Sequence, residues 1–150
     1  MSPASVVEAL QARYPGAETF RFGDSAELSA ELLELIRTGR KRATVTALRD
    51  VEAGREAMPE LGRQDIALDW DGRPALVIET VEVRVQRFDE VDEAFALDEG
   101  EDDSLAGWRA SHREYFERNG GFDPAMMLIC ERFRVVETIG EAAMPVEALR

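Results

Sequence analysis

Apolar residues recur at helical spacing in the first part of the chain. Val6 and Leu10 lie on one side of a helix predicted over residues 3–13. A second apolar stripe lies between Asp24 and Gly39. Asp24, with a glutamate three residues later, has the capping pattern of a helix start, and glycine is the usual residue just after a helix end. The chain is therefore predicted to begin with two helices.

Alternating and β-branched residues predict strands in the later part of the chain. Residues 42–48 and 66–70 alternate in polarity, and the second of these segments is followed by Asp71-Gly72, a strong signal for a tight hairpin turn. A long β-branched run over residues 75–85 returns from that turn, and residues 126–136 form a final strand. The turn makes this hairpin the clearest local prediction.

The remaining segments complete the predicted fold. Residues 50–63 are rich in glycine and proline and are predicted to form a mobile loop that acts as a lid. Ser104 begins another helix, which ends at Gly120, and the tail after Ile139 is predicted to be a loose helix. Helices around largely antiparallel strands define an α+β fold, in one domain spanning residues 1–150. Because strand edges must be protected, we expect a small, partly closed β-barrel flanked by helices.

Composition limits the classes of function. The chain has 18 Lys+Arg against 31 Asp+Glu, giving a net charge of −13, which disfavours tight binding to duplex DNA. There is no apolar run of membrane-spanning length and no signal-peptide pattern near the first residues, so we expect a cytoplasmic protein. The single cysteine, Cys130, lies in an apolar run, so no internal disulfide is possible and the thiol is expected to be buried.

A short basic segment follows the second predicted helix. It contains Lys41 three residues before Thr44, with Arg40 and Arg42 on either side of the lysine. In an acidic chain, such a segment indicates a local site for an anion or a polar ligand, although a solvated turn at a helix end has the same composition. A lysine acts as a base only where its surroundings favour the neutral amine, and positive neighbours act in that direction.

An acidic segment is the natural partner of this lysine. Residues 89–103 contain nine acids and no base, and most of these must be solvated. The apolar spacing within residues 88–95 predicts a helix, and Gly100 permits a sharp turn that aims one of the acids at positions 98–101 towards Lys41. The segment does not match a calcium-binding loop, so we predict no metal.

The last helix carries an aromatic stripe. Trp108, His112 and Phe116 share one helical face, which favours a satisfied buried imidazole over a catalytic base. His112 is the only histidine, which excludes a multi-histidine zinc site. Trp70 and Trp108 could each stack on a nucleobase, although large aromatic residues more often form the core.

Seven blocks of sequence, in this order, resemble the ASCH domain family of the PUA-like superfamily. Together they run from about Phe22 to Glu137, within a core of about 20–138. The blocks are Phe22-Gly23-Asp24, Gly39-Arg40-Lys41-Arg42-Ala43-Thr44, Pro59-Glu60-Leu61-Gly62, Ile78-Glu79-Thr80, Phe95-Ala96-Leu97-Asp98-Glu99-Gly100-Glu101-Asp102, Trp108-Arg109-Ala110-Ser111-His112 and Cys130-Glu131-Arg132-Phe133.

The resemblance implies a nucleoside or RNA ligand and no cofactor. Some ASCH proteins resemble amidohydrolases that act on N4-acylated cytidine through a lysine, a threonine and a glutamate. The matching residues here are Lys41, Thr44 and Glu99, with Glu101 as the alternative carboxylate two residues away. The residues expected to bind the substrate are Arg40, Arg42, Glu101 and Trp70.

Two other functions fit the same basic site. One is a non-catalytic module that binds short RNA, and the other is a ribonuclease in which Lys41 stabilises phosphate charge. All three predicted functions require a modified nucleoside or short RNA as partner, and none of them involves a membrane. Positions three apart face opposite sides of a regular strand, so Lys41 and Thr44 can share a site only if Lys41 lies in the preceding turn or a bulge intervenes.

Overall fold

A computed structural model describes residues 2–139, which form five α-helices, one short 3-10 helix (Phe88–Glu90) and five strands. The predicted tail after Ile139 lies outside the described residues. The helices are α1 (Pro3–Arg13), α2 (Ala26–Arg37), α3 (Leu48–Glu52), α4 (Glu93–Asp98) and α5 (Leu105–Arg118). The strands are β1 (Thr19–Arg21), β2 (Ala43–Ala47), β3 (Gln64–Leu68), β4 (Pro74–Arg87) and β5 (Met127–Thr138). None of the described helices combines the length and apolar character needed to cross a membrane.

All five strands belong to one mixed sheet in the order β1-β3-β4-β5-β2. Only β1 and β3 pair in parallel, and every other neighbouring pair is antiparallel. The α+β class is therefore confirmed. The expected partial closure into a barrel is not, because β1 and β2 are the two edges and no ladder joins them within residues 2–139. Both edge strands are short, which is a common way to protect an open sheet.

The predicted hairpin is confirmed, and its turn is fixed by a side chain. The backbone N–H of Asp69 donates to the carbonyl of Arg73 at 2.8 Å. The Asp69 carboxylate accepts from the backbone N–H groups of Asp71 and Arg73, both at 2.9 Å. Gly72 has a φ of 84°, the left-handed conformation that glycine adopts without strain. The return strand β4 extends two residues beyond the predicted end, to Arg87.

Two local predictions need correction. The helix α2 begins after Ser25, whose hydroxyl accepts from the backbone N–H of Leu28 at 3.1 Å, so Asp24 is not its cap. The Asp24 carboxylate instead accepts from the side chain of Arg118 at 2.7 Å. The predicted loop over residues 50–63 is partly helical, because α3 follows β2 directly. Its remaining residues connect α3 to β3.

The helices pack on both faces of the sheet. Val77 of β4 packs with Leu10 of α1, whereas its neighbour Ile78 packs with Ile36 of α2. Adjacent residues of a strand point to opposite faces, so α1 and α2 cover different sides. A third cluster surrounds Trp108 of α5, which has no exposed surface. Each fully buried leucine, isoleucine, valine or phenylalanine side chain in these clusters contributes about 1.5–3 kcal/mol through removal of apolar area from water.

The free thiol of Cys130 belongs to the Trp108 cluster. The side chain is 1% exposed. Burial raises the pKa of Cys130 to about 11. A thiol that stays protonated and buried is unreactive, as the sequence predicted.

Candidate functional site

Lys41 lies in the segment between α2 and β2 and extends into the protein. Its side chain is 1% exposed. The Nζ atom donates to the carbonyl of Ala43 at 2.8 Å and to Oε2 of Glu101 at 2.8 Å, and it lies 3.9 Å from Oε2 of Glu99. All of these partners are acceptors, which is the environment that an ammonium requires. Because Lys41 precedes β2 and Thr44 is within it, both residues can line the same cavity without a bulge.

Gly100 brings the two acidic residues to Lys41. It has a φ of 74°, and a Cβ atom at this position would lie 2.4 Å from the carbonyl oxygen of Arg40. Real Cβ contacts are never this short, so only glycine allows the two segments to approach so closely. The backbone N–H of Arg42 donates to the carbonyl of Asp98 at 2.7 Å and fixes the end of α4 beside this segment.

His112 completes the buried cluster from α5. Its Nε2 lies 2.6 Å from Oε2 of Glu99 and 4.0 Å from Oε2 of Glu101. Its Nδ1 lies 2.8 Å from the carbonyl oxygen of Trp108, and the two rings stack at 4.3 Å between centroids. A carbonyl oxygen only accepts, so Nδ1 carries a hydrogen. With an ionised Glu99 at Nε2, the ring is an imidazolium.

The two glutamates differ in their electrostatics. Burial alone would raise the pKa of Glu99, but the charges of Lys41 and His112 lower it to about 2. Burial raises the pKa of Glu101, and the charge of Glu99 adds to this against the effect of Lys41. Burial alone would lower the pKa of His112, but the charge and hydrogen bond of Glu99 raise it above its usual value. Glu99 is thus the stronger acid of the two, and Glu101 is the carboxyl group that binds a proton more readily.

These groups form the inner end of a cavity of about 890 Å³. Pockets of 300–1,000 Å³ are typical for small molecules. The sequence-predicted residues that line the cavity are Lys41, Thr44, Glu99, Glu101 and Trp70. His112 also lines it, although the sequence favoured a structural role for that residue.

Thr44 has a carboxylate opposite to it in the sheet. Thr44 of β2 pairs in register with Glu131 of β5, and both line the cavity. The Glu131 carboxylate accepts from the hydroxyl of Thr80 at 2.6 Å, and burial raises the pKa of Glu131. No pattern in the sequence pointed to Glu131 in particular. Its only signal was that it lies within one of the seven blocks.

Arg40 and Arg42 are not brought to the cavity. Arg40 donates to Asp103 at 2.7 Å, and Arg42 donates to Asp98 at 2.7 Å. Both arginine side chains are more than half exposed. Side chains alternate in direction along an extended segment, so the two arginines point outward where Lys41 points inward. Their predicted contact with substrate has no support in this arrangement.

Trp70 lies at the outer part of the cavity with a cation beside it. The ring is 43% exposed, and the guanidinium of Arg21 lies 6.0 Å from its centroid. Three other arginines line the cavity, and each is ion-paired with an acid. Within residues 2–139, Arg21 makes no ion pair of this kind; its Nε donates to the carbonyl of Asp69 at 3.4 Å. Several residues of the 53–63 connection also line the cavity, which is the position that a lid requires.

Glu99, Glu101 and His112 are residue types that ligate metals, and their ligand atoms lie within 4.8 Å of one another. The ammonium of Lys41, however, already contacts Glu101 and lies beside Glu99. A divalent cation at this point would be close to that positive charge. The donor set therefore fits an ion-pair network better than a metal site.

The fold and the cavity define a small α+β protein with a buried cluster of charged side chains on the wall of one cavity. The sequence matches the ASCH domain family over residues 18–137, and the chain belongs to that family, which has a PUA-like fold. Among curated proteins, none matches the chain.

Solved structures agree with this assignment. The ASCH domain from Lactobacillus crispatus JV V101 is 31% identical, with a TM-score of 0.75 over 89% of this chain and 88% of that one. The protein EF3133 from Enterococcus faecalis V583 is 29% identical, with a TM-score of 0.80 over 93% of this chain and 91% of that one. The hypothetical protein PH0355 is 16% identical, with a TM-score of 0.51 over 80% of this chain and 97% of that one, and is similar in fold alone.

Proposed function

We propose that this protein is an amidohydrolase that acts on N4-acylated cytidine or a related nucleoside amide. The observation that carries the proposal is that Lys41, Thr44 and two carboxyl groups line one cavity. Amide hydrolysis through an acyl-enzyme needs a nucleophile, a group that takes its proton and an acid that protonates the departing nitrogen. These residue types supply all three.

In this proposal the hydroxyl of Thr44 attacks the acyl carbon. Lys41 takes the hydroxyl proton, and one of Glu99 and Glu101 protonates the leaving nitrogen. A lysine that is held as an ammonium must first lose a proton, and Glu101 lies 2.8 Å from Nζ and can accept it. Burial of the lysine favours such a transfer, because burial penalises an ion pair more than a neutral pair, whereas the ionised Glu99 at 3.9 Å opposes it.

The test is hydrolysis by the purified protein of a panel of N4-acylated cytidines, compared with two variants. Thr44→Val keeps the side-chain shape but removes the hydroxyl, so turnover should be lost while ligand affinity changes little. Lys41→Arg should also abolish turnover, because a guanidinium stays protonated and cannot act as a base. Substantial hydrolysis by Thr44→Val would contradict the acyl-enzyme and indicate attack by water.

A second candidate function is the binding of short single-stranded RNA. The observation in its favour is the exposed Trp70 ring beside Arg21, since base stacking on an aromatic ring contributes about 1–3 kcal/mol and an arginine attracts phosphate. If RNA binds, Trp70→Ala and Arg21→Ala should both weaken it, whereas Arg21→Ala should retain hydrolysis of a free acylated nucleoside, which carries no phosphate. RNA binding with no hydrolysis by the parent protein would favour this module over the enzyme.

Ribonuclease activity has less support. Stabilisation of a phosphate transition state requires an excess of positive charge at the reacting group. The charge of Lys41 is matched here by Glu101 at 2.8 Å and by Glu99 at 3.9 Å. Degradation of short single-stranded RNA by the purified protein is the measurement that would support this alternative.

A further inference from the structure

We propose that Glu101 is the carboxyl group that exchanges a proton with the substrate, and that Glu99 and His112 are positioning residues that hold it and Lys41 in place. This inference rests on the proposed amidohydrolase function and assigns the roles within its site. It departs from the sequence expectation, which matched Glu99 to the catalytic position.

Access to the cavity separates the two glutamates. The side chain of Glu99 is 1% exposed, whereas that of Glu101 is 22% exposed. Glu99 is also held on one side by Nε2 of His112 at 2.6 Å. A group that exchanges protons with a ligand must reach it within hydrogen-bond distance. Glu101 is the more exposed of the two carboxyl groups that line the cavity, and it also contacts the lysine.

His112 fixes Glu99 through two contacts of its own. Nδ1 donates to the carbonyl of Trp108, so Nε2 can point only at the carboxylate of Glu99. The ring is further held by stacking on Trp108 at 4.3 Å. Nδ1 also lies 3.3 Å from the hydroxyl of Ser111, which donates to Asp102 at 2.8 Å. The imidazole is therefore held at both nitrogens and on one face.

The charged neighbours of the cluster come from four parts of the fold. Lys41 lies before β2, and Glu99 and Glu101 follow α4. Asp102 acts through Ser111 of α5. Cys130 of β5 also lies near the cluster. Burial raises the pKa of its thiol, and the charge of Glu99 adds to this effect. With Lys41 and His112 positive and both glutamates ionised, the four central side chains sum to zero charge.

Proton transfers in this scheme balance. The ammonium of Lys41 gives a proton to Glu101, and the resulting amine takes the hydroxyl proton as the oxygen of Thr44 bonds to the acyl carbon. The C–N bond breaks as Glu101 returns its proton to the leaving nitrogen. Water then cleaves the acyl ester, giving one proton to the oxygen of Thr44 and releasing the acid. Throughout, Glu99 stays ionised and His112 stays protonated.

The kinetic test compares three variants by the pH dependence of kcat/KM for one acylated cytidine. Glu101→Gln should lower kcat by about 10²–10⁴-fold. It should also remove the part of the pH profile of kcat/KM that follows the titration of the carboxyl group. His112→Gln removes a positive neighbour and should move that limb to higher pH. Glu99→Gln removes a negative neighbour and should move it to lower pH. A Glu101→Gln enzyme that keeps the limb, with loss of the limb in Glu99→Gln, would overturn the assignment.

A measurement without substrate separates this inference from the proposed function. Carbon-13 NMR of the glutamate carboxyl groups, assigned with the same variants, should show Glu101 titrating above the ordinary value and Glu99 still ionised at pH 4. The reverse order would reject the inference even if hydrolysis occurs.

In untagged protein His112 is the single histidine, so its imidazole signal is unambiguous. Its titration midpoint should fall more in Glu99→Gln than in Glu101→Gln, because 2.6 Å is a closer contact than 4.0 Å. If the parent hydrolyses no acylated nucleoside, the proposed function fails, and this titration alone decides which glutamate carries the proton.

Discussion

Gly100→Ala tests the close approach that brings the glutamates to Lys41. An alanine at φ 74° is in the left-handed region, which costs about 1–2 kcal/mol. Its Cβ would also lie 2.4 Å from the carbonyl oxygen of Arg40, and that backbone must move. Overpacking of this kind costs a further amount of about 1–3 kcal/mol. We therefore expect a loss of about 2–5 kcal/mol in the free energy of unfolding.

Gly39→Ala is the matched control. Gly39 has a φ of 81°, but a Cβ there would meet no atom within 4 Å. Only the conformational cost of about 1–2 kcal/mol applies. For a chain of this length, 1 kcal/mol corresponds to about 3 °C in Tm, so thermal unfolding should fall by about 6–15 °C for Gly100→Ala and about 3–6 °C for Gly39→Ala.

The assay is thermal and urea unfolding followed by circular dichroism, together with the NMR titration of His112. Gly100→Ala should also shift that titration, since it displaces Glu99, whereas Gly39→Ala should leave it near that of the parent. Equal losses of stability in the two variants would show that the contact with Arg40 is not tight. The steric part of the reasoning would then be refuted.

Two further predictions concern the core and the pH dependence of stability. Trp108→Ala should cost about 3–5 kcal/mol, because a ring with no exposed surface is lost from the stack with Phe88 and His112. Trp108→Phe should cost less, since within the described residues the indole N–H has no partner and such a group costs about 1–3 kcal/mol; equal urea midpoints for the two variants would contradict this. Because the pKa of His112 is raised by folding, its stabilising effect is present below the unfolded value of about 6.5 and is lost as pH rises through the folded value. The urea midpoint of the parent should fall over that window relative to His112→Gln, and parallel curves would exclude the effect.

Periodicity was enough to predict the elements that bury a continuous apolar face. The stripe of α2 and the hairpin around Asp71-Gly72 have strong local signals, and both are present. By contrast, β1 is three residues long and mostly exposed, so its pairing with β3 depends on the rest of the sheet. The choice of Ser25 over Asp24 as a cap depends on which residue is extended, a property that composition does not specify.

The candidate site shows the same contrast between features with a local sequence signal and features that depend on tertiary packing. The turn at Gly100 was sufficient to predict that an acid from positions 98–101 would approach Lys41. The helical stripe of α5 correctly indicated that His112 is buried, but periodicity describes one helix at a time. It cannot show that Glu99, thirteen positions away on another element, faces the imidazole. Long-range contacts between charged side chains depend on how the elements pack.

The contact between α1 and the end of β5 has a consequence for the order of folding. The side chains of Arg13 and Tyr14 both contact Glu137 at 2.8 Å, across separations of 124 and 123 residues in sequence. The turn of the hairpin, by contrast, joins Asp69 to Arg73. Closure of the longer loop costs more chain entropy, so we expect α1 to dock after the sheet has formed. Substitutions of Glu137 should then accelerate unfolding and leave the refolding rate nearly unchanged.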